Sequence, residues 1–242
     1  MTILDHLSLL TSLDAAALAL LAFCWFFMSW WIERPNTARP SVTAIMVEYR
    51  REWMRQMVTR DPRIFDAAIL SDLRQATSFF GSGCMIAIGG VLAMIGNTEQ
   101  IQMVASDLTS EEIPSIVWQV KLMVVVLFLT HAFLKFVWSN RLFGYCAVIM
   151  AAVPNDITQP TVYPRAAQAA DINVRAAWNF NRGLRAIYYS LGTLAWLLGP
   201  IPLILATLMV TYIIWQREFW SLPRDILQNG PALPAATEET ST

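Results

Sequence analysis

Four runs of apolar residues stand out along the chain, each about 20 residues or longer. They occupy about residues 13–32, 76–95, 116–138 and 188–215. A helix needs about 20 apolar residues to cross the roughly 30 Å hydrocarbon layer, and a helix satisfies its own backbone polar groups there. The runs lack the alternation of barrel strands. The pattern therefore predicts four transmembrane helices.

Basic residues are distributed unevenly between these runs. Arginine is frequent between the first two runs and between the last two, whereas residues 96–115 contain four acidic residues and no Lys or Arg. Cytoplasmic loops carry an excess of Lys and Arg. The first run is also too long for a signal peptide and lacks a basic start, so we expect it to be retained. We therefore expect a bacterial cytoplasmic (inner) membrane protein with both arginine-rich segments inside and both termini outside.

The arginine-rich segments show helical periodicity of their own. From Ser41 to Arg60, apolar residues recur at spacings of three and four, with charged residues between them. This spacing indicates an amphipathic helix, which we expect at the membrane interface. The neighbouring spans continue as helices beyond the bilayer. The expected cytoplasmic helical segments cover about residues 41–75 and 140–186.

Prolines interrupt the last run and the chain after it. Gly199-Pro200-Ile201-Pro202 predicts a kink or break, because proline removes helix donors and clashes with the preceding turn. Residues 223–242 are polar and proline-containing, which favours a flexible tail. The predicted fold is an all-α integral membrane domain over residues 1–222. It has four transmembrane helices, long cytoplasmic helical extensions and an amphipathic interfacial helix.

Composition agrees with a membrane location and offers little chemistry. Hydrophobic residues make up 56% of the chain and charged residues only 14%, against about 25% charged in soluble domains. Cys24, Cys84 and Cys146 each lie in an apolar run, which favours buried thiols.

With His6 and His131 as the only histidines, we expect no haem, no metal site and no other cofactor. We find no enzymatic motif and expect no nucleic-acid partner, because acidic residues interrupt the basic ones.

Ionisable residues within a span are candidates for function. Lys121 and Lys135 lie near the two ends of the third run, where we expect their ammonium groups to reach the interface. His131 lies one turn before Lys135 on the same helix face. His131 and Lys135 are candidates for ion or proton handling. A neutral His131 that is hydrogen-bonded to a neighbouring helix is the simpler alternative.

Two further sets of residues are candidates for contacts with lipid or partners. The first consists of arginines that face lipid headgroups or a partner: Arg51, Arg55, Arg141, Arg182 and Arg185. The second consists of small residues on one face of the second run: Ser82, Gly89, Ala93 and Gly96. Small residues let helices approach closely. This face is predicted to form an internal helix contact, with a subunit contact or a pore lining as alternatives.

Three stretches resemble a family of bacterial and plant membrane proteins, the domain of unknown function 599. They are REWMRQMVTRDPRIFDAAILSDLRQATSFFGSG, HAFLKFVWSNRLFGYCAVIMAAVP and NFNRGLRAIYYSLGTLAWLLGP. With the spacing between them, they cover the chain from about Leu13 to Trp220. The resemblance implies a multi-pass helical membrane protein and brings no activity, substrate or catalytic residue.

Three functional hypotheses remain open at this point. The first is a protein without enzymatic activity that acts by assembly in the bilayer, as a homo-oligomer or as an accessory subunit of a membrane complex. The second is a small oligomeric ion or proton channel or transporter, based on His131, Lys135 and the interrupted fourth run. The third is an interfacial enzyme that handles a lipid or quinone through Arg141, Arg182 or Arg185.

Overall fold

In a computed structural model, the described residues, 11–34, 38–97 and 114–229, are predominantly helical. They form seven α-helices and one 3-10 segment. These are α1 (Ser12–Ile32), α2 (Val42–Met57), α3 (Ile64–Gly96), α4 (Ser115–Ala151), α5 (Val162–Thr193), the 3-10 segment (Leu194–Leu198), α6 (Pro200–Phe219) and α7 (Leu222–Asn229). Four stretches are long and apolar enough to cross a membrane: Ser12–Ile32, Ile64–Gly96, Ser115–Ala151 and Pro200–Gln228. The prediction of an all-α protein with four potential membrane-spanning helices is confirmed.

Helices α3, α4 and α5 form the long antiparallel frame of the molecule. The Asn140 amide of α4 donates to the Thr77 hydroxyl of α3 at 2.8 Å, and the Ser139 hydroxyl donates to the Ala176 carbonyl of α5 at 2.7 Å. Helix α4 has 37 residues, which gives a length of about 56 Å. This length exceeds the roughly 30 Å hydrocarbon layer. The excess forms an extension together with α2, the start of α3 and the start of α5.

Helix α2 begins at a side-chain cap and packs against the frame. The Ser41 hydroxyl accepts from the Ala44 N–H at 3.0 Å and donates to the Ile32 carbonyl at the end of α1. Met54 and Met57 of α2 are fully buried in the core of the extension. The amphipathic face is therefore largely occupied by protein, and its association with lipid stays a prediction.

The chain reverses direction within the predicted fourth span. Helix α5 ends at Thr193, and Gly199, with φ of 121°, leads into Pro200 at the first position of α6. The Tyr189 and Thr211 hydroxyls lie 3.1 Å apart; on a single straight helix these residues would be about 33 Å apart. The predicted interruption at Gly199-Pro200 is confirmed. The prediction of one span over residues 188–215 is wrong, because α5 and α6 form an antiparallel hairpin.

The end of α5 and the 3-10 segment contact α1 near both of its ends. Arg185 of α5 donates to Glu33 at one end of α1, and Trp196 of the 3-10 segment donates to Asp14 at the other end. These contacts at Glu33 and Asp14 fix the end of α5 and the 3-10 segment beside α1.

Helix α7 bears on two predictions about the C-terminal part of the chain. Residues 222–229 are helical and not an irregular tail; the remaining tail residues, 230–242, lie outside the described residues. The Arg224 side chain donates to the Pro40 carbonyl at 3.0 Å, and the Tyr49 hydroxyl of α2 donates to the Leu227 carbonyl at 3.2 Å. Helix α7 therefore lies on the same side as α2. An outer position for residues 222–229 is incompatible with an inner position for α2.

Candidate functional site

A cluster of charged side chains joins α1 to α5 at the arginine-rich side of the apolar helices. Arg182 Nε donates to the two carboxylate oxygens of Glu33 at 2.9 and 3.1 Å, and its Nη2 donates to the same carboxylate. Arg185 Nη2 donates to Glu33 Oε1 at 2.6 Å. Such charge-assisted, partly bidentate bonds are among the strong hydrogen bonds of proteins. The sequence candidates Arg182 and Arg185 therefore come together on one carboxylate.

The cluster is well shielded from solvent, and a second carboxylate lies near it. Arg185 is only 3% exposed, and its Nε and Nη1 are buried without a hydrogen-bond partner among the described residues. Glu218 of α6 faces the same region and accepts from the Thr43 N–H at 3.0 Å. A buried ion pair is costly to break, because removing one partner leaves the other charge uncompensated.

His131 and Lys135 lie on the side of α4 that approaches this cluster. The His131 ring contacts the Trp25 ring of α1 edge-on, with centroids 5.0 Å apart. Among the described residues, Lys135 forms no salt bridge within 4 Å. The aromatic contact supports a packing role for His131, and proton or ion handling by the two residues stays a prediction.

The other predicted arginines lie on the surface of the extension, apart from the cluster. Arg51 pairs with Glu48 at 2.9 Å, and Arg55 pairs with Glu52 at 2.8 Å. Arg141 donates to the Tyr145 hydroxyl one turn further along α4 at 2.6 Å. These exposed side chains are available to solvent, and their contact with lipid or a partner stays a prediction.

The small-residue face of α3 is exposed. Ser82, Gly89, Ala93 and Gly96 are all exposed, whereas Gly81 and Cys84 are buried toward α4. A Cβ atom added at Gly89 or Gly96 would meet nothing within 4 Å. The predicted internal helix contact is therefore wrong, because α3 uses a different face, about 120° around the helix, to pack on α4.

A second buried charged group lies at the opposite end of α1. The Trp196 indole N–H donates to Asp14 Oδ1 at 2.7 Å, and the Thr11 hydroxyl donates to Asp14 Oδ2 at 2.7 Å. Lys121 is only 5% exposed and lies 5.5 Å from the centroid of the Trp118 ring. Lys121 is therefore enclosed by tryptophans and lies near Asp14, and the position of its ammonium at the interface stays a prediction.

A cavity of about 270 Å³ lies between α2, α5 and α6, beside the Glu33 cluster. Its polar lining includes Arg50, Trp178, Asn181, Arg217 and Glu218. Arg50 Nη1 donates to the amide oxygen of the buried Asn173 at 2.5 Å. Burial lowers the pKa of the Arg50 guanidinium, but a guanidinium stays protonated in proteins. The cavity therefore contains a permanent positive charge.

The sequence prediction missed Glu33, Arg50 and the residues around the cavity. An acidic residue directly after the first apolar run was the available signal for Glu33, because arginines dominate the rest of that segment. Nothing in the sequence distinguishes Arg50 from the exposed Arg51 beside it except the helix face. Within residues 11–34, 38–97 and 114–229, no three His, Cys, Asp or Glu side chains come close enough to hold a metal ion.

Comparison with known proteins gives a family and nothing more specific. Neither the comparison with curated proteins nor that with solved structures gave a match. The family described as a protein of unknown function, DUF599, matches residues 16–222. This range contains the Glu33 cluster and all residues of the cavity lining except Pro223. The chain belongs to the family of proteins of unknown function DUF599.

Proposed function

We propose that the protein acts by assembly within a bacterial inner membrane, with the apolar half of α3 as the contact between copies of the chain. The observation that carries this proposal is the exposed small-residue face of α3, defined by Ser82, Gly89, Ala93 and Gly96. Small residues at helix faces let backbones approach closely in lipid, where packing contacts drive association. An accessory role on another membrane subunit would use the same face.

The position of α3 at the edge of the molecule supports this proposal. Only 11% of its most apolar 18-residue stretch is buried, and its main neighbour is α4. Gly89 and Gly96 of this face leave open space beside the backbone, because a Cβ atom there would meet nothing within 4 Å among the described residues. A second copy can therefore approach α3 without displacing any contact among the described residues.

Disulfide cross-linking in native membranes tests this contact, because Gly89 and Gly90 form a matched pair. The two residues are adjacent and both exposed, but they point about 100° apart around the helix. The native cysteines Cys24, Cys84 and Cys146 are free and buried, so their background reaction is low. We expect Gly89→Cys to form a cross-linked dimer under mild oxidation and Gly90→Cys to form much less.

Mass measurement of the purified protein separates the possible outcomes. Gly89→Leu is expected to convert the assembly to monomers in mild detergent, whereas Gly90→Leu keeps the assembly. A monomeric unmodified protein under several mild conditions would overturn self-assembly. Cross-linking of Gly89→Cys to a different protein would show that the partner at this face is another membrane subunit and not a second copy of the chain.

The proposal includes a revised topology with five crossings. These are α1, the apolar halves of α3 and α4, the end of α5 with the 3-10 segment, and α6. In this arrangement the N-terminus is outside, residue 229 is inside, and the fifteen arginines of the chain all lie on the inner side. An outer C-terminus would place Arg217 and Arg224 outside, against the positive-inside tendency. The α2, α3, α4 and α5 segments of the extension are then cytoplasmic.

Reporter fusions at the C-terminus test this topology. A green fluorescent protein fused after Thr242 is expected to fluoresce, and alkaline phosphatase at the same position is expected to be inactive, because each reporter works on one side only. Alkaline phosphatase fused after Leu198 serves as the matched control and is expected to be active. Active phosphatase at Thr242 would contradict an inner C-terminus.

A further inference from the structure

The cavity between α2, α5 and α6 has an unusual balance of charge. Two arginines, Arg50 and Arg217, line it together with one carboxylate, Glu218. Glu218 already accepts from the Thr43 N–H at 3.0 Å and from the Thr43 hydroxyl at 3.2 Å. Arg217 donates to the Tyr188 hydroxyl at 2.8 Å, a neutral partner. The lining therefore carries a net positive charge.

Arg50 in particular lacks a carboxylate partner. None of the salt bridges formed within the described part of the chain includes Arg50, and its hydrogen bond goes to the Asn173 amide. Moving a cation out of water is costly unless an anion compensates it. The position of Arg50 is therefore suited to an anion that binds from outside the chain.

Neutral donors surround the same space. The Trp178 indole nitrogen is buried and has no hydrogen-bond partner among the residues that the structure describes. Buried polar groups in proteins nearly always have a partner, so an unpaired indole N–H at the cavity indicates a missing acceptor. The volume of about 270 Å³ is far above the roughly 10–15 Å³ that a single water requires.

We propose that this cavity binds a phosphate-bearing group, with Arg50 and Arg217 as the cationic contacts and the Trp178 indole N–H as a neutral donor. Planar guanidinium groups match phosphate oxygens in charge and geometry. This site goes beyond the proposed assembly and does not depend on it, because its residues lie on α2, α5 and α6 and not on the small-residue face of α3.

Two sources can supply such a group: the headgroup of an anionic phospholipid or free inorganic phosphate. The cavity lies at the level where α1 and α6 end, and aliphatic side chains such as Val47 and Val174 form part of its wall. An anionic group next to apolar surface at this depth matches the interface between headgroups and acyl chains.

Binding measurements on the full-length protein in mild detergent test the site and identify the source. After lipid removal, the protein is titrated with phosphatidylglycerol, with phosphatidylcholine and with inorganic phosphate at constant ionic strength, and thermal unfolding and native mass spectrometry report binding. We expect Arg50→Gln to weaken binding of the effective ligand by roughly tenfold to a hundredfold, the range for loss of a charged hydrogen bond. Binding of phosphatidylglycerol alone assigns a headgroup site. Binding of inorganic phosphate with the same dependence on Arg50 assigns a free phosphate site.

Arg51→Gln is the matched control. Arg51 is the next residue on α2, its side chain is 50% exposed and it pairs with Glu48, so its loss is expected to change binding by less than about twofold. Arg217 is exposed, and Arg217→Gln tests the same cavity if Arg50→Gln fails to fold. Absence of binding to all three ligands, or equal loss in Arg50→Gln and Arg51→Gln, would overturn the site. The mass of the assembly is measured separately, so either proposal can fail without the other.

Discussion

Arg185 is buried and Arg50 is partly buried on the arginine-rich side of the molecule, and their surroundings differ. Arg185 donates to the Glu33 carboxylate of another helix at 2.6 Å, whereas Arg50 donates to the neutral Asn173 amide at 2.5 Å. A desolvated cation requires compensation by an anion. The comparison indicates that Arg185 fastens α5 to α1, while the charge of Arg50 remains available to a ligand.

Removal of the Glu33 charge is expected to give the largest loss of stability. Glu33→Gln removes the carboxylate that pairs directly with the buried Arg185, and breaking a buried pair costs about 3–5 kcal/mol. Because Arg182 is partly exposed, we expect a decrease of about 3 kcal/mol in the free energy of unfolding. Unfolding of the detergent-solubilised protein by sodium dodecyl sulfate measures this change.

Glu48→Gln is the control for this measurement. Glu48 is exposed and pairs with the exposed Arg51, so its replacement is expected to cost less than about 1 kcal/mol. Equal free energies of unfolding for Glu33→Gln and Glu48→Gln would show that the Glu33 cluster does not stabilise the packing of α1 on α5. The proposed difference between Arg185 and Arg50 would then be wrong.

Removal of the neutral partner of Arg50 is expected to have a smaller effect. Asn173→Ala deletes the acceptor for Arg50 and a contact with the Cys146 thiol at 3.7 Å. A buried donor left without its partner costs about 1–3 kcal/mol. Asn179→Ala is a matched control on α5, because within the described part of the chain the Asn179 amide donates to the Arg175 carbonyl of its own helix at 2.9 Å and to no other group. Chemical unfolding curves with equal midpoints for the two variants would contradict a structural role for the Asn173 contact.

The same neighbourhood predicts a pH dependence through Cys146. Burial raises the pKa of the Cys146 thiol to about 11, against the opposing effects of the Asn173 hydrogen bond and the Arg50 charge. The folded state therefore favours the protonated thiol. This stabilisation is complete below about pH 9, where the thiol of the unfolded chain also stays protonated, and is lost as the pH rises from 9 through 11. We expect native Cys146 to resist alkylation at pH 8 and to react as the pH approaches 11.

Peptide mapping after alkylation at a series of pH values measures this reactivity for Cys146 alone. The unfolded protein in sodium dodecyl sulfate is the control and is expected to react already near pH 9. Rapid alkylation of native Cys146 at pH 8 would contradict the protection of this buried thiol.

The four apolar stretches were predictable from sequence, but the direction of the last part of the chain was not. The hydropathy of residues 188–215 is the same whether the chain continues in one direction or turns back. Gly199-Pro200 therefore predicted an interruption but not the angle between the two helices. The contact between Tyr189 and Thr211 decides for a hairpin. Arg217 and Arg224 were an unused signal, because an outer position for both disagrees with the distribution of the other arginines.

The candidate site was only partly predictable, for a related reason. Arg182 and Arg185 were recognised as candidates, but their partner Glu33 is 149 and 152 residues away in sequence. The pairing depends on the antiparallel arrangement of helices, which periodicity does not reveal. Arg50 and Arg51 have the same chemistry in sequence, and only the packing of α2 on α5 turns one inward and the other outward.

Replacement of the exposed Arg51 is expected to give the smallest loss of stability. It pairs with Glu48 at 2.9 Å and approaches Asp171 at 3.8 Å, with half of its side chain exposed. Exposed pairs contribute about 0.2–1 kcal/mol, and salt screens them. We expect Arg51→Gln to lower the free energy of unfolding by less than about 0.5 kcal/mol, with the difference vanishing in high salt. A double-mutant cycle with Glu48→Gln measures the coupling. A salt-independent coupling above about 1.5 kcal/mol would contradict the comparison. The exposed pair of Arg51 with Glu48 would then stabilise the fold about as much as the buried pair of Arg185 with Glu33.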